Sequence, residues 1–363
     1  MYSKKEKIVI WLSIFKFLSL KKRHQIIELY DDVAKVWDNW EKDKNKILEI
    51  VTLEQYEQMS YVLDEVYINN YIKNFDAMDI HLLTIVSDEY PQLLKETLSP
   101  PTLLYCKGNL KVLKTSCFAI VGTRRITKYG REITNRFSYD LASAGFTIVS
   151  GLGDGVDTVA HRACLDAGGK TIAVLGNGFN HIYPATNVPL VKDIIEKGGL
   201  IVSEYAPDAP PTLYTFPARN RIIAGLSKGV LITEATKKSG SMHTKEYALE
   251  NNRDLFVVPG RITDIYSAGC NEIIKNCQSV MVLSPNEIIE TYGKNYVSQH
   301  GQVSHVQVNF DEQILLDIVG ENEIHYEELL SKSGMEQKSL NTLLMRMELM
   351  GTIHKLPGNY YCK

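Results

Sequence analysis

Short apolar runs, most of them stopped by glycine, serine or threonine, recur through the middle of this chain. Cys117 to Val121, Thr147 to Ser150, Lys170 to Leu175, Leu200 to Val202, Val230 to Thr233, Leu255 to Val258 and Val280 to Leu283 have this form. Apolar runs of that length predict strands covered on both faces. Amphipathic stretches such as Lys128 to Ala144 and Met242 to Asn251 lie between them and predict helices. Regular alternation of the two predicts a parallel sheet with helices on both sides, which binds ligands beyond the carboxyl ends of its strands.

The flanks follow other patterns. Residues 1 to about 85 space Ile, Leu, Phe and Trp at helical intervals among many Lys and Glu, with no Pro. Pro100-Pro101 and the short apolar run to Cys106 suit a connector into a new domain. A polar stretch from about Tyr292 to Val308 separates a last unit. There Phe310 to Val319, Tyr326 to Leu330 and Lys338 to Met350 read as helices, and Thr352 to Tyr361 as a hairpin. Three helices and a hairpin make the winged-helix pattern, whose usual use is duplex DNA binding. From Phe310 to Lys363, however, nine acidic side chains face five basic ones, which favours packing or partner binding. The expected organisation is a helical domain (1–88), an α/β Rossmann-like domain (89–292) and a winged-helix-like domain (309–363).

Chemistry concentrates at the predicted carboxyl edge of the sheet. Gly122, Thr123, Arg124 and Arg125 follow the first apolar run, and Ser150-Gly151-Leu-Gly-Asp-Gly155 follows the second. Glycine just past a strand lets backbone N–H groups approach an anion, and here the cradle carries its own arginines. Tyr214-Thr-Phe216-Pro-Ala-Arg219-Asn220-Arg221 places aromatic rings and two arginines at a predicted helix start, the combination that binds single strands. Ser239-Gly240-Ser241 repeats the arrangement of strand end, small donors and helix start. Each loop alone could be no more than a tight turn, Phe216 could be core, and Arg219 could pair with Glu204 or Glu234. Asp157 and His161, spaced i, i+4, read as a structural pair.

The glycine series is G-x-G-x-G, and no acidic ribose ligand follows the next strand, so the dinucleotide reading is weak. A Ser-His-Asp set, a G-x-x-x-x-G-K-[ST] loop and an H-E-x-x-H motif are all missing. No catalytic residue, metal or cofactor is expected. The formal charge of −3 excludes a global attraction to nucleic acid and requires any polyanion site to be local. Six cysteines without a C-x-x-C pair fit a reduced cytosol, so a cytoplasmic location is expected. Lys16 and Lys21-Lys-Arg23 interrupt the apolar opening, and no run reaches membrane-spanning length.

These segments, in this order, resemble the DNA-processing protein A family (DprA, also called Smf). The resemblance rests on Ile120-Val-Gly-Thr-Arg124, Val149-Ser-Gly-Leu-Gly-Asp-Gly-Val-Asp157, Tyr183-Pro184, Phe216-Pro-Ala-Arg-Asn-Arg-Ile-Ile-Ala-Gly225, Ser239-Gly-Ser241 and Val258-Pro-Gly260. It is strong from Tyr90 to Leu283. It implies a sterile-alpha-motif-like helical domain in front and a winged helix behind. In function it implies a protein that binds and protects single-stranded DNA taken up in natural transformation and loads RecA recombinase onto it. A homodimer through the Rossmann-like domain, without enzymatic activity, is implied too. Arg124, Phe216, Arg219 and Arg221 would line the phosphate pocket, with Tyr183 beside them.

The chain departs from the family pattern at Ala185, where relatives often carry a basic residue that Lys192 or Arg125 would replace. His243 and Lys245 are additions near the pocket. Two other readings stay open. One is a nucleoside-monophosphate phosphoribohydrolase with Glu234 acting on the ribose, although its Pro-Gly-Gly-x-Gly-Thr loop is missing. The other is a nucleotide-binding sensor, which would favour mononucleotides over oligonucleotides.

Overall fold

The computed structural model describes residues 2–293, 310–319, 323–349, 353–356 and 358–362. Most of the polar stretch expected from Tyr292 to Val308, together with Thr352 and Pro357 of the expected hairpin, lies outside them. Contacts divide the chain into two compact units, Met1–Gly301 and Gln302–Lys363.

The first unit opens with helices α1 (Lys4–Ile14), α2 (Leu20–Ile27), α3 (Lys35–Asp38), α4 (Lys44–Leu48), α5 (Leu53–Tyr61) and α6 (Glu65–Asp76). Ser3 and Thr52 start α1 and α5 with capping boxes, each side chain accepting from the third helical N–H. These helices close on an aromatic core in which Trp40 stacks on Tyr56 at 5.1 Å and Trp11 meets Trp40 edge-on at 4.9 Å. Helices fill this region only as far as Asp76. His81–Thr84 is instead a strand, β1, paired antiparallel with β2 (Leu103–Gly108). Four residues are too few to show a period of two, so the pattern had no means to separate β1 from the helices before it.

After α7 (Gln92–Lys95) the expected alternation appears: β3 (Cys117–Val121), α8 (Lys128–Ser143), β4 (Thr147–Ser150), α9 (Val156–Asp166), β5 (Thr171–Leu175), α10 (Val188–Glu196), β6 (Leu200–Ser203), α11 (Thr215–Leu226), β7 (Gly229–Ile232), α12 (Ser241–Glu250), β8 (Asp254–Val257), α13 (Ala268–Lys275), β9 (Val280–Met281) and α14 (Pro285–Thr291). Nine strands form one sheet in the order β1-β2-β6-β5-β4-β3-β7-β8-β9. All pairings from β6 to β9 are parallel, whereas β2 meets β6 antiparallel. Every residue of β3, β4 and β5 is buried, as strands sandwiched between helical layers require. The chain winds outward from β3 through β6, then crosses back to lay β7 on the other side of β3. That reversal opens a crevice past the carboxyl ends of β3 and β7.

The second unit contains α15 (Phe310–Val319), β10 (Ile324–His325), α16 (Tyr326–Ser333), α17 (Gln337–Leu349), β11 (His354–Leu356) and β12 (Tyr360–Cys362). β12 pairs antiparallel with both β10 and β11, the three-strand wing of a winged helix. Leu315, Leu329, Leu340, Leu344, Ile353 and Tyr361 form its core.

Candidate nucleic-acid interface

A cavity of about 670 Å³ occupies the crevice between the ends of β3 and β7. The sequence brings four stretches together there. The β3 turn contributes Gly122 to Arg125, α11 contributes Phe216, Arg219 and Asn220, the turn after β7 contributes Ser239 to Ser241, and Tyr183 closes one side. Asp157, Leu213, His243, Ile265 and Tyr266 are among the other residues of the wall.

The floor is a buried polar network. Arg219 is 5% exposed, and its Nη1 donates to the carbonyls of Gly151 (2.5 Å) and Val174, while its Nε donates to Asn220 Oδ1 at 3.0 Å. Gly151 has to be glycine, because a Cβ there would stand 2.6 Å from the Arg219 guanidinium. Asn220 in turn donates to the Gly240 carbonyl at 3.1 Å, tying α11 to the turn after β7. Asp157, half-buried in the cavity lining, is the counter-charge. Desolvation raises its pKa, and Arg219 and the Gly153 N–H, at 3.1 Å, pull it back. Beneath it, Thr171 pairs with His161 Nδ1 at 2.7 Å. Burial, and then the Arg219 charge, push the His161 pKa down to about 3, so its ring is neutral. The two i, i+4 residues thus engage separate partners, Asp157 the Gly153 N–H and His161 the Thr171 hydroxyl.

The rim is different. The Arg124 guanidinium lies over the Phe216 ring, 5.2 Å from its centroid, and Tyr183 meets the same ring at 5.6 Å. Phe216 is seated against Gly176, where a Cβ would come within 2.8 Å of its Cδ1. With its neighbours so placed, Phe216 supports Arg124. Arg125 is exposed, and its backbone N–H donates to Thr123 Oγ1 at 3.1 Å. Among the described residues no carboxylate lies within ion-pairing distance of Arg124 or Arg125. A cation held in place without a partner is available to an anion.

Several residues fall elsewhere than their spacing suggested. Arg221 points away from the cavity and pairs with Glu204 at 2.6 Å, so the partner foreseen for Arg219 belongs to Arg221. Glu234 takes neither arginine. Its carboxylate accepts from the Thr127 hydroxyl (2.6 Å) and N–H (2.9 Å) and so fastens the start of α8. Ser150 is buried and donates to the Ile120 carbonyl at 2.7 Å. Of the two added residues, His243 reaches the cavity, while Lys245 turns to Glu246 at 2.7 Å and Gln278 at 3.3 Å. Lys192 is exposed on α10, and Ala185 opens a short helical turn outside the cavity wall. Sequence reasoning missed Ile265 and Tyr266, which come from the loop after β8, because neither residue is itself a glycine, a small donor or a base.

A Rossmann-like sheet with a basic, glycine-built crevice at its switch point and a separate winged helix defines a class of nucleic-acid-handling proteins. The family model for DNA recombination-mediator protein A matches residues 81–293, and that for the DprA winged helix domain matches residues 307–359. The chain belongs to this family, known as DprA or Smf. It is 39% identical to Protein Smf of Escherichia coli over 77% of this chain and 76% of that one. It is 42% identical to DNA processing protein DprA of Streptococcus pneumoniae over 62% and 76% of the two chains. The crystal structure of the Streptococcus pneumoniae protein superposes with a TM-score of 0.68 at 32% identity, covering 82% of this chain and 99% of that one. DNA processing protein A from Helicobacter pylori, solved for its single-stranded DNA binding mode, gives a TM-score of 0.54 at 35% identity over 60% and 97%.

Proposed function

We propose that the protein binds single-stranded DNA in the crevice beyond β3 and β7, protects it, and loads RecA recombinase onto it without catalysing a reaction. The observation that carries this reading is Arg124. Its guanidinium is fixed over Phe216 and beside Arg125, outside ion-pairing distance of any carboxylate among the described residues, at the mouth of a cavity floored by Arg219 and Asn220 and walled in part by Ser239, Gly240 and Ser241. Such a site attracts phosphodiesters of any sequence and loses affinity as salt rises. The single-stranded DNA binding of the Helicobacter pylori relative supports the same reading. RecA loading and a homodimer through the α/β unit rest on the family resemblance. The phosphoribohydrolase reading is the weaker one, because both oxygens of Glu234 are engaged by Thr127 and Glu234 is not in the cavity wall.

The test is affinity for a fluorescent oligo-dT and for a duplex of the same length at low and moderate salt. Single-strand preference that Arg124→Ala abolishes is the expected result. Equal affinity for a mononucleotide would turn the reading toward a nucleotide sensor.

A further inference from the structure

A second groove, of about 820 Å³, adjoins the same two loops on their outer side and has no part in the site described above. One wall is Thr127, Lys128 and Tyr129, which directly continue the β3 turn that carries Arg124 and Arg125. The other is Pro259, Gly260, Arg261, Asp264 and Ser267, from the loop after β8 whose Ile265 and Tyr266 line the main cavity. The two hollows are therefore separated only by these shared loops.

The groove's chemistry repeats that of the rim. Lys128 and Arg261 are both exposed, and among the described residues neither has an ion-pair partner. Tyr129 is 42% exposed, and its hydroxyl donates to the Pro259 carbonyl at 2.8 Å, which fixes the ring across the groove from one wall to the other. Asp264 is the acid present, and its carboxylate accepts the Tyr266 N–H at 2.9 Å. Two unpaired cations beside a fixed, exposed aromatic ring form a nucleotide subsite, with phosphate on the cations and base on the ring. At the start of α8 the Thr127 and Gly130 N–H groups are already taken by Glu234 and Thr127, so the subsite rests on its side chains.

The geometry points to a second nucleotide-binding subsite at Lys128, Tyr129 and Arg261 that receives the single strand as it leaves the main cavity over Arg125. This rests on the reading of the main cavity as a single-strand site and adds to it a direction of travel and a longer footprint.

The test compares oligo-dT of two lengths, one short enough for the main cavity alone and one about twice as long, on the full chain and its Lys128→Ala/Arg261→Ala variant. The expected result is that the variant matches wild type on the short oligonucleotide and loses most of the gain that wild type shows on the long one. Two phosphate contacts fewer should lower the single-strand salt slope by about 1.4, so between 50 and 200 mM salt the long oligonucleotide loses about sevenfold less affinity in the variant. Tyr129→Phe, which keeps the ring, should bind as wild type does, whereas Tyr129→Ala should lose the gain for dT. A variant that keeps both the long-oligonucleotide gain and the full salt slope overturns the subsite, as does a wild type that gains nothing from length. The main-cavity reading fails separately, by wild type binding neither length or by Arg124→Ala leaving the short oligonucleotide unaffected.

Discussion

The floor and the rim of the cavity use the same side chains for opposite ends. Arg219, on the floor, donates to two strand-end carbonyls and a neighbouring amide and has the half-buried Asp157 as its counter-charge. Arg124, on the rim, rests on a ring and keeps its donors free. The floor therefore holds three strand ends and a helix in register, and the rim presents charge on that support. Burial and partner count, more than residue type, separate the arginine that shapes the site from the arginine that works in it.

The sharpest way to break this contrast is to truncate both arginines. Arg219→Ala leaves the half-buried Asp157 without its counter-charge and two carbonyls unpaired, and should cost about 3 kcal/mol, read as a lower urea midpoint. A loss below 1 kcal/mol would mean that the floor is not structural. The next effect is on pH. The unfolded chain protonates His161 near pH 6.5, whereas the folded chain resists protonation until about pH 3. The stability that His161 contributes is thus complete above pH 6.5 and is lost as pH falls from there toward 3. At pH 5 this amounts to about 2 kcal/mol relative to pH 7, and His161→Gln should flatten that part of the profile. Identical acid limbs in the two proteins would show that His161 is hydrated.

Thr127 stands between the two layers. It caps α8 by accepting the Gly130 N–H at 3.0 Å and donates to Glu234, so Thr127→Ala should cost about 1 kcal/mol, measurable as a small shift in thermal midpoint. A larger cost would assign the Glu234 contact to the floor. Smallest in stability is the rim. Arg124→Ala with Arg125→Ala should leave unfolding within about 0.5 kcal/mol of wild type. The same variant should lower the single-strand salt slope by about 1.4. If it unfolds early, the rim is part of the scaffold and the contrast fails.

Much of the scaffold was legible because buried parallel strands announce themselves: Cys117 to Val121 and Thr147 to Ser150 are continuous apolar runs bounded by glycine, and both are strands over those same residues. The four-residue β1 was the hard case, too short to carry a period. At the site, composition located the loops but not the directions of their side chains. Arg219 and Arg221 are two residues apart on α11 and so face nearly opposite ways, which no reading of the string Arg-Asn-Arg could convert into one buried donor and one ion pair with Glu204. The groove at Lys128 was illegible for another reason. Its walls are about 130 residues apart and meet only because β7 and β8 are laid down beside β3.

The antiparallel edge at β1 and β2 has a practical consequence for whoever trims this protein. The family match begins at His81, the first residue of β1. Yet Leu82, Leu103 and Tyr105 are buried in the aromatic core of the preceding helices. A fragment cut at the family boundary would bare that apolar strip on an open sheet margin, an invitation to edge-to-edge aggregation. The smallest soluble piece should begin near Tyr2, well before the segment that defines the family.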